Sequence, residues 1–273
     1  MGRIGRGWQL TKMSLRVIRK DKELLMFPFL SGITTLLILA SFFIGAFLTV
    51  DFVNTGTDAI SWWFYIFFAV FYFISFFISV FFNVAVIGCA TIRLNGGDPT
   101  VRDGFRIAFE NVKYILMWTL FAATVGLILR SIQQRAGFIG KLVIGALGAA
   151  FTIATYFAVP VFVYEKVGPW NALKRSVSIL KQTWGEALVG NLGLGAIFIL
   201  LGLVGLVPLI LGVVIMSLWS IVIGFAAAVI YWLVLGIVYS AAQSVLVAAL
   251  YRYATTGKIA EDFAGISFQN PWT

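Results

Sequence analysis

Chemistry in this chain has to come from a narrow set of side chains. There is no histidine, a single cysteine (Cys89), and 20 Lys and Arg residues against 11 Asp and Glu. Only the basic residues fall into a pattern. Lys12, Arg16, Arg19 and Lys20 recur at helical spacing near the start, Arg102 and Arg106 recur near residue 100, and Lys174, Arg175 and Lys181 lie in the stretch WNALKRSVSILKQTWGE, Trp170 to Glu186. Three- and four-residue steps gather charges on one helical face. A basic face backed by an apolar one suits the surface of an anionic membrane, where each charge is worth about 1 kcal/mol. These nine residues are the candidate lipid-headgroup ligands.

Other chemistries lack their residues. A metal site built on His or Cys and general-base work by His are excluded by inventory, and no metal or cofactor is expected. No paired carboxylates, phosphate loop or nucleophile elbow is present, and Gly96-Gly97 reads as a turn. No enzyme is expected. No charged residue lies well inside a predicted span, where proton-coupled carriers need one. Asn83, Asn191, Gln243 and Ser244 are the strongest polar groups at that depth. They read as hydrogen bonds between helices, and they would be the only obvious lining of a solute path. Gly236, Ser240, Ser244 and Ala248 form a stripe of small residues four apart. It predicts close helix packing within the bundle, with a subunit interface as the sharper reading.

The surroundings of these residues fix the class. Hydrophobic residues make up 61% of the 273, charged residues 11%, and the mean hydropathy is +0.99. The charged share is about half that of a soluble domain, and roughly 20 apolar residues suffice for each span. The expected fold is all-α: a polytopic bundle of about six transmembrane helices with three cytoplasmic amphipathic helices. The net charge of +9 then reads as orientation and headgroup contact rather than nucleic-acid binding.

In order, a basic amphipathic helix over 3–23 precedes a first span from Leu24 to Val50. No cleavage site follows at a signal-peptide distance, so this run is expected to remain as a span. Asp51 to Ser61 is a polar, acidic connection. Trp62 to Ile92 is an aromatic-rich second span. Asn95-Gly96-Gly97-Asp98-Pro99 predicts a turn with Asp98 capping a helix that Pro99 opens. In that helix Val101, Phe105, Ala108, Phe109 and Val112 are expected to share a face. Tyr114–Leu129 is a short third span, Leu142–Tyr164 a fourth and Leu188–Val207 a fifth. Leu173, Val177, Leu180 and Trp184 are the expected apolar face of the stretch before the fifth. Pro208 and Gly212 predict a turn or interfacial piece near 206–220, ahead of a sixth span from about Ile221 to Leu250.

The order repeats. Pairing Trp8 with Trp170 brings Lys12 to Lys174, Ser14 to Ser176, Val17 to Ile179 and Arg19 to Lys181, while Pro99 answers Pro169. The chain therefore reads as one membrane domain of three surface-helix-plus-hairpin units, at about 3–92, 93–166 and 167–251, with a tail over 252–273. This order places 17 of the 20 basic residues on one side and only Arg130, Arg135 and Lys141 on the other. The excess predicts a multi-pass protein of the cell membrane with both termini cytoplasmic.

The segments RIGRGWQLTKMSLRVIRKDKELLMFP (3–28), WNALKRSVSILKQTWGEALVGN (170–191) and ALYRYATTGK (249–258) resemble a family of prokaryotic multi-pass membrane proteins classed as a domain of unknown function. The order of elements is also similar to the membrane domain attached to some glycerophosphodiester phosphodiesterases. That likeness implies no phosphodiesterase activity, because the catalytic residues of that enzyme belong to a separate soluble domain. The resemblance implies a fold and no activity. The expected function is that of a non-enzymatic membrane-organising or scaffold protein that binds anionic lipid. Membrane lipids are its expected partners, beside a homo-oligomer or another membrane protein. The alternative is a channel or carrier for a neutral or lipidic solute.

Overall fold

A computed structural model describes residues 3–49, 62–215 and 217–263. The expected acidic connection at Asp51–Ser61 and the end of the tail lie outside them. The described residues form ten α-helices with no strand among them, so the fold is the all-α bundle that the composition implies. Five helices are long and apolar enough to cross a membrane, or six if one bent pair counts as a span. These fit a multi-pass membrane protein.

The first helix, α1 (Arg3–Lys20), buries Gly7, Leu10, Thr11, Ser14, Val17 and Ile18 and exposes Lys12, Arg16, Arg19 and Lys20. Asp21 stops it: its Oδ1 accepts the Glu23 N–H at 3.2 Å and holds a 3-10 turn over Lys22–Leu25. Helix α2 (Met26–Thr49) and helix α3 (Trp62–Leu94) follow. The described aromatic side chains of α3 do not line one path. Phe67 and Phe71 meet Phe42 of α2 with ring centroids 4.5 and 5.0 Å apart, while Phe68 and Tyr72 are exposed.

Helix α4 (Val101–Glu110) departs from expectation at its start. Thr100 caps it, donating its N–H to Asp103 Oδ2 (3.0 Å) while its Oγ1 accepts the Asp103 N–H (3.2 Å). This is a reciprocal capping box. Asp98 instead pairs with Arg93 at 3.1 Å. The buried residues here are Gly104 and Ala108, whereas Phe109 is 65% exposed and set against Phe81, centroids 5.1 Å apart. Helix α5 (Val112–Arg135) is longer than the short span predicted, because its polar end still propagates the helix. It packs on α6 (Phe138–Ala154).

The fourth predicted span is broken into α6 and α7 (Ala158–Glu165), bent by 40°. Pro160 sits at the third position of α7, where its missing N–H costs little. The freed Phe157 N–H donates to Ser176 Oγ at 3.0 Å, so the break leaves no buried orphan donor there.

The third surface stretch and the fifth span run through α8 (Pro169–Val204), two helical segments that meet at a kink where Thr183 has non-helical dihedrals. The piece after it is also helical: α9 (Leu206–Val214) extends the span to Val189–Val214. The turn or interfacial piece expected over 206–220 is instead helical as far as Val214, and α10 (Leu218–Thr256) follows. Side chains of α10 make the continuation feasible. Tyr231 Oη and Trp232 Nε1 donate to the terminal carbonyls Leu201 O (2.7 Å) and Gly202 O (3.0 Å). Gly212 and Gly224 let α9 and α10 touch backbone to backbone: a Cβ on Gly224 would fall 2.4 Å from Pro208 O.

By contact the chain forms two compact units. One gathers Met1–Pro28, Val86–Asp103 and Ser178–Thr273; the other gathers Phe29–Ala85 and Gly104–Val177. Both are discontinuous, so they cut across the three sequence repeats. In the first unit α1 crosses α8 at glycine: a Cβ on Gly193 would lie 2.6 Å from Gly7 Cα. Residues Ala241–Tyr251 of α10 form its buried run, apart from the half-buried Gln243. The second unit is built on α5 and α6 and on rings such as Trp118 and Phe162, 5.9 Å apart.

Candidate functional site

The three amphipathic helices bury side chains in one shared register. Leu10, Ser14 and Val17 are buried in the first, with Asp21 just past its end; Gly104 and Ala108 in the second, with Asn111 and Ile115 following in the cap and first turn of α5; and Ala172, Ser176, Ile179 and Thr183 in the third. Each set runs in steps of four, three and four. The first and third match the pairing of Trp8 with Trp170. The middle helix is shifted by two residues from the alignment that paired Pro99 with Pro169. In the third helix the buried face lies beside the Leu173/Val177 face expected from hydropathy, because small Ala172 and Ser176 allow closer packing than larger residues. The expected contribution of Trp184's side chain lies outside the described residues.

All nine candidate headgroup ligands are exposed: Lys12, Arg16, Arg19, Lys20, Arg102, Arg106, Lys174, Arg175 and Lys181. Lys174 Nζ lies 5.4 Å from the Trp170 ring centroid, and Arg175 Nε donates to Glu165 Oε1 at 3.0 Å. The small-residue stripe divides along α10. Gly236 is exposed with open space about it, Ser240 is half-buried, and Ser244 and Ala248 are buried. Ser244 Oγ donates to Ser240 O at 2.9 Å within the helix. Asn83, Asn191 and Gln243 are all half-buried.

A second basic feature was not among the sequence candidates. Lys20, Arg93, Leu94, Asn95, Gly96, Gly97, Arg252, Ile259, Glu261 and Asp262 line a cleft of about 330 Å³. It sits where α1, α3 and α10 all end. Helix C-termini carry partial negative charge and favour cations. Arg252 Nη1 donates to Leu94 O, and Arg93 Nη1 donates to Gly97 O (3.4 Å) and Asp98 Oδ1 (3.1 Å). Lys20 pairs with Asp262 of the 3-10 turn Glu261–Phe263, which is anchored by the buried Ala260 and Phe263. Asp21 lies close by, buried, with no hydrogen-bond partner for Oδ2. Burial pushes its carboxyl above the usual carboxylate range, against the opposing pull of the Glu23 N–H and the Arg93 charge. Sequence reading passed over Arg93 and Arg252 because it counted them only as orientation signals. Their convergence depends on contacts between residues over 150 positions apart.

The chains of α3, α7 and α10 end alike. Gly96 (φ 87°), Lys166 (φ 55°) and Gly257 (φ 68°) are the described residues with left-handed backbone, one after each hairpin. Lys166 is the exception to glycine, and its Nζ donates to Asn111 Oδ1 at 2.6 Å and lies 5.8 Å from the Tyr114 ring centroid.

Among the described residues no group of three His, Cys, Asp or Glu side chains could hold a metal. What the arrangement offers is electrostatic: exposed cations on three helices and a charged cleft at helix ends. No curated protein and no solved structure matches the chain, so the likeness to phosphodiesterase membrane domains gains no support. Residues 62–261 match a family of unknown function, DUF6159. The match takes in the motifs at 170–191 and 249–258, while 3–28 lies outside it. Nearly three quarters of this helical, multi-pass chain is thus covered, and the chain belongs to the DUF6159 family.

Proposed function

We propose that this protein is a non-enzymatic membrane organiser whose three surface helices bind anionic lipid on the cytoplasmic leaflet. One observation carries the reading. In each of the three basic stretches the cations are exposed while the same four-three-four register is buried, running past the helix end at Asp21 in the first and into α5 in the second. A helix held in this way presents its charges at a fixed height beside the spans, where anionic headgroups collect. The repeated platform suits a scaffold that gathers lipid, further copies of itself or other membrane proteins.

The test is lipid selectivity of the full chain in nanodiscs of mixed phosphatidylglycerol and phosphatidylcholine, read with spin-labelled lipids. Wild type should prefer phosphatidylglycerol. Replacing Lys12, Arg16, Arg19, Arg102, Arg106, Lys174, Arg175 and Lys181 by Gln should remove most of the preference, since each charge contributes roughly 1 kcal/mol. An unchanged preference would sink the proposal. Lys20 is kept in this variant because it also lines the cleft.

A further inference from the structure

We infer that the cleft at the ends of α1, α3 and α10 is a phosphate-ester site, and that Asp262 is its internal competitor. Lys20, Arg93 and Arg252 converge there from segments far apart in sequence. Each guanidinium has five N–H donors, and the contacts described above use only those on Nη1. The contacts of Arg252 with Leu94 O and of Arg93 with Gly97 O and Asp98 therefore leave donors on both arginines. A planar fork of this kind matches phosphate oxygens, and a lysine adds a point charge.

The acidic turn explains why the cleft is not simply a basic patch. Three cations face Glu261 and Asp262 of the turn and Asp98, which holds Arg93, so the cleft is formally neutral with the turn in place and two positive charges remain once it is displaced. Asp262 is 11% exposed and sits on Lys20, which is half-exposed. A carboxylate on a lysine marks the place of an anion that can replace it. The turn's hold is local: Phe263 and Ala260 are buried, whereas Lys258, Ile259 and Glu261 are exposed. Rotation of the Asp262 side chain would free Lys20 without releasing that anchor.

The height of the cleft points to the ligand's source. Lys20 stands two residues before the apolar segment Lys22–Gly45, Arg93 is in the last turn of Ile66–Leu94, and Arg252 is in the last two turns of Leu218–Thr256. That is the boundary level at which lipid phosphates lie. The shared chemistry is a phosphate ester, and the lipid form fits this level. The inference does not rest on the surface-helix proposal, because Lys20 alone is common to both.

The test is calorimetric titration of the full chain in neutral detergent. The probes are dihexanoyl phosphatidic acid, glycerol 3-phosphate and, as control, dihexanoyl phosphatidylcholine. Phosphatidic acid should bind wild type, and Asp262→Asn should tighten it roughly two- to fivefold, as expected for removing an exposed ion-pair competitor. Arg93→Gln should weaken binding roughly tenfold or more, as for loss of a charge-assisted hydrogen bond. Selective binding of phosphatidic acid assigns the site to lipid, and equal binding of glycerol 3-phosphate assigns it to a soluble ester. No binding to wild type or Asp262→Asn, or an Asp262→Asn affinity that is unchanged or lower, overturns the inference. Asp262→Asn decides the matter alone if Arg93→Gln does not fold. The surface-helix variant should keep the Asp262→Asn effect, so the two proposals fail separately.

Discussion

Asp21 shows how one residue can serve the fold at an electrostatic cost. It ends α1 by holding the Glu23 N–H, yet its second oxygen is buried without a partner. Burial raises its folded pKa above the unfolded value. Stability from this group is therefore full below the unfolded pKa and lost as pH rises through the folded one. We expect Asp21→Asn to raise the thermal midpoint in detergent near neutral pH, with the gain shrinking as pH falls into the carboxylate range. A lower midpoint at neutral pH would mean that attraction to Arg93 outweighs burial. None of this was legible in the sequence, where Asp21 reads as one more charge in RKDKE. Ser14 and Ser176 were legible only as a matched pair. Their complete burial, and the donation of Phe157 N–H to Ser176, depend on partners that hydropathy cannot name.

Among the helices, glycine decides where close approach occurs. Gly193 and Gly195 look equivalent in the sequence GNLGLG, but only Gly193 faces Gly7; a Cβ on Gly195 meets nothing within 4 Å. Gly195→Ala should be neutral or stabilise by up to about 1 kcal/mol through helix propensity. Gly193→Ala should lower the thermal midpoint by forcing α1 off α8. Equal effects of the two would remove the crossing from the account. Element order and most span positions were readable from apolar runs. Ends and breaks were less so. The α6–α7 bend lies within an unbroken apolar run and is satisfied by a distant serine. The α9 extension defied Pro208 and Gly212 because Pro208 falls in the first turn of a new helix, while Gly212 serves packing. The capping box at Thr100–Asp103 was readable in principle, but Asp98-Pro99 offered a rival cap two residues earlier.

For the whole molecule, composition settles the class, whereas orientation rests on the count of basic residues and calls for its own test. Cys89 is fully buried, with Sγ 3.6 Å from Thr100 O, so new surface cysteines can be read over little background. Gln134→Cys should react with an impermeant maleimide in intact cells, and Thr256→Cys only after permeabilisation. Labelling of both in intact cells, or of neither before permeabilisation, would contradict the alternating spans. The cleft was invisible at this scale, since no local pattern shows that residues 20, 93, 252 and 262 meet. The same discontinuity has a consequence for biosynthesis. Gly7 leaves the ribosome about 190 residues before Gly193, which at roughly 5–20 residues per second is an interval on the order of ten to forty seconds. Throughout it the N-terminal helix lacks the crossing that will seat it. On the lipid binding proposed for it, its basic amphipathic face would be the nascent chain's provisional mooring, holding the first helix at the bilayer until the last third of the protein arrives to receive it.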